Sequence, residues 1–173
     1  GSASSDMGDS AQSLKRDWTT LRSRYQPNFS AAPQPVDGYP FVSDVNTAAA
    51  CLTMLSQHFG TPVQLEWMHR QLRSQRPRHV IDGAEKTGLQ MRRLLVSSWD
   101  DLRQITLPGM TLWQGERWVV VYEVRGDRLV IADPMNPDYV CESVPRDVVQ
   151  ENWDGELWQV ELVKKQDTFN LSW

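Results

Sequence analysis

The stretch of sequence that decides the fold is DVNTAAACLTMLSQHFG, residues 44–60. It offers Asp44 or Asn46 as an N-cap, then a run of alanines and apolar residues, and it ends on Gly60 as a C-cap. Because alanine loses no side-chain entropy and lets other backbones approach closely, the stretch predicts a buried central helix. A helix N-terminus also stabilises a thiolate, but the first turn carries Thr47 and no cysteine.

Length and composition restrict the class of protein. The chain has 173 residues, 40% of them hydrophobic, with eight tryptophans, which indicates one globular domain rather than a disordered chain. The net charge of −4 gives no sign of nucleic-acid binding. No apolar run is long enough to span a membrane, so direct membrane insertion is not expected. Two cysteines are too few for a disulfide framework and favour a reducing compartment.

The first half of the chain has the spacing of helices. Residues 1–10 are interpreted as a cloning remnant followed by a disordered start. Apolar spacing predicts a helix over residues 11–25, which with an extended proline-containing linker fills residues 11–35. After the central helix, the pattern predicts an amphipathic helix over 61–74, a basic loop over 75–78 and a short helix over 82–86.

The second half changes to the period of strands. Strands are predicted over residues 89–96, 110–113, 117–124, 128–133 and 156–164, with short helices over 99–105 and 144–152. The sequence Arg125-Gly126-Asp127 indicates a tight turn between two of these strands. Cys141 lies in a stretch with no regular period. Helices followed by an antiparallel meander predict an α+β fold with the N-terminal helices packed on the sheet.

Three short motifs in this order resemble the C39 peptidase domains found at the N-terminus of bacterial peptide-exporting ABC transporters. That family has a glutamine, five residues, then Cys-Gly-x-x-Cys-Leu at the start of the central helix, followed by a His-Phe-Val-Val strand and an Asp-Pro pair. Here Ala50-Cys51-Leu52, Trp118-Val119-Val120-Val121 and Ile131-Ala132-Asp133-Pro134 match parts of these motifs. The resemblance implies a papain-like C39 fold over residues 36–166, with residues 167–173 leading to a first transmembrane helix.

The chain departs from the family at the residues that carry the chemistry. Thr47 falls on the cysteine nucleophile, Phe41 on the oxyanion-hole glutamine and Arg117 on the histidine base, while Asp133 alone matches the triad. Cysteine peptidase chemistry needs a thiolate, a base and an oxyanion donor. Arginine cannot act as a base, because its pKa lies above about 12. The resemblance therefore implies a degenerate cysteine peptidase that is not an enzyme.

The function implied by this resemblance is that of the C39-like domains of type I secretion ABC transporters. Such a domain would bind or tether an unfolded export substrate, such as a repeat-in-toxin protein or adhesin, on the cytoplasmic side of the bacterial inner membrane. Its expected partners are that substrate and the transmembrane and nucleotide-binding domains of the same transporter, with no nucleic acid. Two alternatives are a structural or regulatory module docked on those domains, and an active cysteine peptidase that cleaves leader peptides through Cys51.

Arg117 and Asp133 lie on two strands joined by one turn, so they could face each other. One interpretation is an ordinary cross-strand ion pair worth a few tenths of a kcal/mol. The other is a remnant of the triad that holds the degenerate cleft in shape. The resemblance also places Trp113 where some degenerate relatives stack a tryptophan on the residue that replaces histidine, which predicts a cation–π contact with Arg117.

Aromatic and apolar residues near these motifs suggest a binding surface. Trp113, Trp118, Met135 and Tyr139 are candidates for an apolar groove that takes an extended polypeptide, although core packing is an alternative for each. Cys51 is expected to be a buried and inert thiol. The three histidines have no ligand spacing and the chain has no GxxxxGK[ST] loop, so neither a metal nor a nucleotide cofactor is expected.

Overall fold

The computed structural model describes residues 32–163. The predicted helix over residues 11–25, most of the linker that follows it and the proposed connection over residues 167–173 lie outside the described residues. Within them, the predicted α+β fold with helices on an antiparallel sheet is confirmed. None of the helices in this part of the chain has both the length and the hydropathy needed to cross a membrane.

The described residues form five helices and seven strands. The helices are α1 (Thr47–His58), α2 (Leu65–Gln71), α3 (Pro77–Lys86), α4 (Trp99–Gln104) and α5 (Arg146–Asn152). The strands are β1 (Gln34–Val36), β2 (Leu89–Leu95), β3 (Gly109–Trp113), β4 (Arg117–Arg125), β5 (Arg128–Ala132), β6 (Cys141–Pro145) and β7 (Glu156–Leu162).

All seven strands belong to one sheet in the order β1-β6-β5-β4-β3-β7-β2. Every pair is antiparallel, and β3 to β6 form a meander in which each strand pairs with the next. The two edge strands, β1 and β2, precede the other five strands in the chain. The antiparallel strands β3, β4 and β5 were therefore predicted correctly, whereas β6 was not predicted as a strand.

Helix α1 is buried over its first ten residues and packs on the face of the sheet that carries Trp118, Val120 and Tyr122. Its N-cap is Asn46, whose Oδ1 accepts a hydrogen bond from the backbone N–H of Ala49. Asn46 is one of the two N-cap residues that the sequence predicted. A second apolar cluster, which includes Trp113, fills the opposite face of the sheet beneath α4 and α5. The central helix and the β4 strand together position the residues discussed below.

Two predicted helices differ from the structure, and two strands were not predicted. Helix α2 is shorter than predicted, and α3 begins at Pro77 rather than near residue 82, because proline at the first helical position needs no N–H partner. Residues 34–36 form the edge strand β1 within the predicted linker. Cys141 opens strand β6 rather than lying in an irregular stretch, and β6 was missed because Glu142 and Ser143 are polar residues that the sheet buries.

Candidate functional site

Thr47 is the first residue of α1 and is buried. Its Oγ1 accepts a hydrogen bond from the backbone N–H of Trp118 at 2.9 Å, which joins the start of the helix to the start of β4. The Thr47 hydroxyl itself donates to Oε1 of Gln75 at 3.0 Å. The hydroxyl proton is therefore directed at a side-chain amide, which is not a base at any pH at which the protein is folded.

Gln75 closes the site from the loop between α2 and α3. Besides the Thr47 hydroxyl, its Oε1 accepts the backbone N–H of Ala48 at 3.0 Å, and its backbone carbonyl accepts the indole N–H of Trp118 at 2.7 Å. The side-chain amide oxygen of Gln75 thus accepts a hydrogen bond from a backbone N–H at the N-terminus of α1. No sequence pattern indicates the role of Gln75, because this role depends on a contact between residues 28 positions apart.

Arg117 and Asp133 form a buried ion pair next to this network. Nε of Arg117 lies 3.2 Å from Oδ1 and 3.1 Å from Oδ2 of Asp133, and Nη2 lies 3.0 Å from Oδ2. Their side chains are 3% and 1% exposed. The backbone N–H of Met135 also donates to Oδ1 of Asp133, so the carboxylate is fixed from two sides. The predicted proximity of the two residues is found, and their burial distinguishes the pair from an ordinary cross-strand ion pair.

The three residues that the sequence placed at the triad positions are close together in the fold. Arg117 directly precedes Trp118, whose backbone N–H donates a hydrogen bond to the Thr47 hydroxyl. The guanidinium of Arg117 pairs with Asp133. Phe41, at the predicted oxyanion position, is partly buried and packs against the core cluster that contains α1. Its side chain has no hydrogen-bond donor. The arrangement provides positions for three triad members but no base that could take a proton from Thr47.

The predicted apolar groove is not supported by the burial of its residues. Trp113, Trp118 and Met135 are buried, whereas Tyr139 is 63% exposed. Trp118 packs edge-on against Trp158 with ring centroids 5.0 Å apart, and Trp113 belongs to the cluster on the other face of the sheet. Both tryptophans are held by the core, so they present no surface to a partner in this conformation.

Trp113 and Arg117 are direct cross-strand partners at the end of the β3–β4 hairpin. The guanidinium of Arg117 pairs with Asp133 instead of giving the predicted cation–π contact. In the part of the chain that the structure describes, the recorded contact of this kind is Arg146 over the ring of Trp99 at 5.5 Å. Arg117 pairs with the buried carboxylate of Asp133 because a carboxylate forms charge-assisted hydrogen bonds to a guanidinium. These bonds are stronger than the contact of a guanidinium with an aromatic ring.

Both cysteines are free and buried. Burial raises the pKa of the Cys51 thiol well above its usual range, and the negative charge of Asp133 raises it further. Burial also raises the pKa of Cys141 to about 11, with a contribution from Glu142. Since the thiolate is the reactive form, both side chains are protonated near neutral pH and neither has the environment of a nucleophile.

The histidines serve local contacts rather than a metal site. His69 on α2 pairs with Asp44 just before α1, and His79 on α3 contacts the hydroxyl of Ser74. Among residues 32–163, no cluster of His, Cys, Asp and Glu has a geometry that could hold a metal ion. A polar cavity of about 510 Å³ lies between α2 and α3, lined by Gln71, Arg73, His79, Asp82, Glu85 and Lys86.

Comparison with known proteins shows the family to which this chain belongs. The sequence profile of the peptidase C39 family matches residues 42–164, which is more than half of the chain. The chain therefore belongs to the peptidase C39 family.

One curated relative is a much longer secretion protein. The chain is 28% identical over 137 residues to the colicin V secretion/processing ATP-binding protein CvaB of Escherichia coli, a match that covers 72% of this chain but 20% of CvaB. The chain thus spans about a fifth of that curated relative's length.

Two crystal structures share the fold. One is a double glycine motif protease from an AMS/PCAT transporter in complex with the leader peptide, with a TM-score of 0.65, 19% identity, and coverage of 75% of this chain and 99% of that one. The other is the N-terminal peptidase C39 like domain of the toxin secretion ATP-binding protein from Vibrio parahaemolyticus, with a TM-score of 0.60, 16% identity, and coverage of 69% and 99%. At this identity the likeness concerns the fold alone.

Proposed function

We propose that this chain is a non-proteolytic C39-like domain at the N-terminus of a type I secretion ABC exporter. In this proposal the domain, residues 36–166, holds an unfolded export substrate on the cytoplasmic side of the bacterial inner membrane. It also contacts the transmembrane and nucleotide-binding domains of the same transporter. Membership in the C39 family and the match to CvaB support the transporter context.

The observation that carries the non-proteolytic part is the hydrogen bonding of Thr47. A peptidase of this family must present a nucleophile beside a base, yet the Thr47 hydroxyl donates to Gln75 and Arg117 is committed to Asp133. A threonine hydroxyl becomes a nucleophile only when a neighbouring base takes its proton. A guanidinium cannot do so, because it stays protonated over the whole range in which proteins fold.

Substrate holding is supported by the similarity to a domain that binds peptide. The AMS/PCAT protease was crystallised with the leader peptide, so the fold can accommodate a peptide. A domain that keeps this fold but lacks the catalytic groups can still bind a peptide without cleaving it. Function is assigned from the site rather than the fold, and the lack of a base beside Thr47 supports a proposal of binding without cleavage.

The test is a titration of isotope-labelled domain with an unfolded C-terminal fragment of the export substrate encoded beside the transporter. We expect chemical-shift changes clustered on one face, and weaker ones when the same fragment is folded first. No changes up to about millimolar fragment, the range in which weak interactions still register, would contradict substrate holding and leave a structural or regulatory role on the transporter.

A separate assay addresses cleavage. The domain is incubated with a double-glycine leader peptide, and the products are followed by mass spectrometry beside an active C39 domain. We expect no cleavage. Specific cleavage by the wild-type chain that is lost in Thr47→Val or Cys51→Ala would show that the domain is an active peptidase.

A further inference from the structure

One region of the chain is basic although the whole protein is acidic. Residues 65–95 carry seven Lys and Arg and three Asp and Glu, a net charge of +4, whereas the complete chain has −4. This segment forms α2, α3 and β2, which follow one another in the chain. This structural unit therefore carries a net positive charge within a chain that is acidic overall.

The basic side chains of this unit are exposed and are not neutralised by ion pairs. We call the following set the basic face: Arg70, Arg73, Arg76, Arg78, Lys86 and Arg92. Within residues 32–163, no ion pair engages any of these six, whereas Arg93 beside them is paired with Glu156. The carboxylates of the same unit are Glu66, Asp82 and Glu85, and the last two line the polar cavity together with Arg73 and Lys86. The basic charges remain in excess and available.

The three elements pack against one another around the outer edge of the sheet. Helix α3 packs on α2 so closely that a Cβ at Gly83 would lie 2.5 Å from a methyl group of Leu72. Val80 and Ala84 on the inner side of α3 pack in the same cluster as Leu89 and Met91 of β2. The side chains of Leu89 and Met91 point towards α3, so Arg92, which alternates with them, lies on the opposite face of β2. The outer edge of β2 therefore lies between Arg92 on one side and the basic residues of α2 and α3 on the other.

Strand β2 adds a second feature to this surface. It is the last strand of the sheet, and in the described part of the chain its outer edge pairs with no other strand. Over seven residues, backbone N–H and C=O groups on that edge are open to an added strand. Arg92 is exposed on β2, and Leu95 at its end is 72% exposed. An extended peptide could pair with this edge and place its side chains among the arginines.

We propose that the basic face and the outer edge of β2 together form the docking surface for an acidic, extended polypeptide segment. The free backbone edge favours a polypeptide over a nucleic acid or a lipid surface, because neither of those can continue a sheet. The excess of arginine favours an acidic sequence, since complementary charge increases the association rate and excludes wrong partners. This inference rests on the proposed function, because it names the chemistry of the segment that the domain would hold.

The experiment uses two unfolded, fluorescein-labelled peptides of about 20 residues, long enough to cross the surface. One has Asp alternating with Gly and Ser, and its twin has Asn in place of Asp. Binding is measured by fluorescence anisotropy, and contacts are mapped by amide chemical shifts. The test variant is Arg73→Glu/Arg92→Glu. Its control is Arg103→Glu/Arg125→Glu, which changes the net charge equally on α4 and β4.

We expect the Asp peptide to bind at least about tenfold more tightly than its twin, and the test variant to lose roughly that factor. The control should lose less than about threefold, because charges beyond a Debye length of about 8 Å are screened at physiological salt. Shifts should include residues 89–95. Each variant is first checked for native amide dispersion, and Arg73→Gln/Arg92→Gln serves if the charge reversal unfolds the domain.

The outcomes separate this inference from the proposed function. Equal affinity for both peptides, or equal losses in test and control variants, overturns the acidic docking surface while polypeptide holding stands. Failure of both peptides and of the unfolded substrate fragment overturns both. Capture of the domain by phosphatidylglycerol vesicles or by duplex DNA, without binding of the Asp peptide, assigns the face to another anion and also overturns the inference.

Discussion

The ion pair of Arg117 and Asp133 is buried, which distinguishes it from an ordinary cross-strand pair worth a few tenths of a kcal/mol. Both side chains are out of water, so the attraction is screened little and each charge depends on the other. Removing one partner leaves an uncompensated buried charge, which costs far more than the loss of a surface pair. Whatever the origin of the pair, its role in this chain is to fix the starts of β4 and of the loop after β5.

We predict that Arg117→Ala lowers the free energy of unfolding by about 3–5 kcal/mol, because Asp133 remains buried without its partner. The matched control is Arg93→Ala, which breaks the exposed pair with Glu156 and should cost less than about 1 kcal/mol. Urea denaturation followed by tryptophan fluorescence measures both. Similar losses in the two variants would show that burial does not determine the strength of the pair.

Gln75 makes the second prediction at this scale. Its Oε1 covers the Thr47 hydroxyl and the N–H of Ala48, so Gln75→Ala should expose position 47 and cost about 1–2 kcal/mol for the lost hydrogen bonds. In a Thr47→Cys background, the new thiol should react with iodoacetamide several-fold faster once Gln75 is replaced. Cys51 and Cys141, both buried, are internal controls that should stay unreacted. Equal reaction rates with and without Gln75 would argue against its covering role.

The ion pair and Gln75 show which parts of this site can be predicted from the sequence. Arg117 begins β4 and Asp133 directly follows β5, and these two strands are joined by one turn, so local geometry brings the two residues together. Gln75 comes from a loop between two helices, and only the packing of α2 and α3 on α1 sets its distance from Thr47. The burial of both Trp113 and Trp118 could not be predicted from the sequence either. Both faces of the sheet are covered, and an alternating pattern of residues does not show this.

At the scale of elements, a single glycine controls how β7 follows the preceding loop. Gly155 has φ of +94°, and its backbone carbonyl accepts the N–H of Val96 at 2.8 Å. A Cβ at Gly155 would lie 2.4 Å from the carbonyl oxygen of Val96. The close approach sets the end of the β2–β7 pairing, whose last register pair is Leu95 with Glu156. Glycine is required here both for its positive φ and for its missing side chain.

We predict that Gly155→Ala destabilises the domain by roughly 3 kcal/mol or more, because backbone strain and a clash with a carbonyl add together. Gly88→Ala is the control, since Gly88 also has a positive φ, +81°, but has open space around its Cβ position. It should cost only about 1 kcal/mol for the left-handed backbone. Thermal unfolding of both variants measures the difference, and equal losses would show that the contact with Val96 is relieved by movement of the backbone.

Elements with a clear period were predicted, and those without one were not. Helix α1 has its cap, its alanines and its terminal glycine in the sequence, and β4 and β5 flank a turn that the sequence shows directly. Strand β6 lies between β1 and β5 with all five residues buried, including Glu142. Its polar residues are tolerated only because neighbouring strands surround them, and such an environment is a property of the assembled sheet.

At the scale of the whole molecule, the sheet separates two apolar clusters, and the cluster on the α1 side contains three groups that ionise at high pH. Cys51, Cys141 and Tyr122 are all buried there. Burial, as the first cause in each case, raises the pKa of all three. In the unfolded chain the same groups would release their protons at ordinary pKa values. The stability of the domain is therefore linked to alkaline pH.

We predict that the free energy of unfolding is constant near neutral pH and falls as the pH rises above about 9 toward the Cys141 pKa of about 11. The sign follows because the folded protein keeps protons that the unfolded chain has lost, so raising the pH favours unfolding. Cys141→Ala and Cys141→Ser should both flatten the decline, each by on the order of 2 kcal/mol at the alkaline end. Serine should lower stability at neutral pH more than alanine does, since it buries a stronger polar group, and this difference separates packing from titration. Denaturation series at several pH values in which wild type and both variants decline in parallel would exclude Cys141 as a source of the pH dependence.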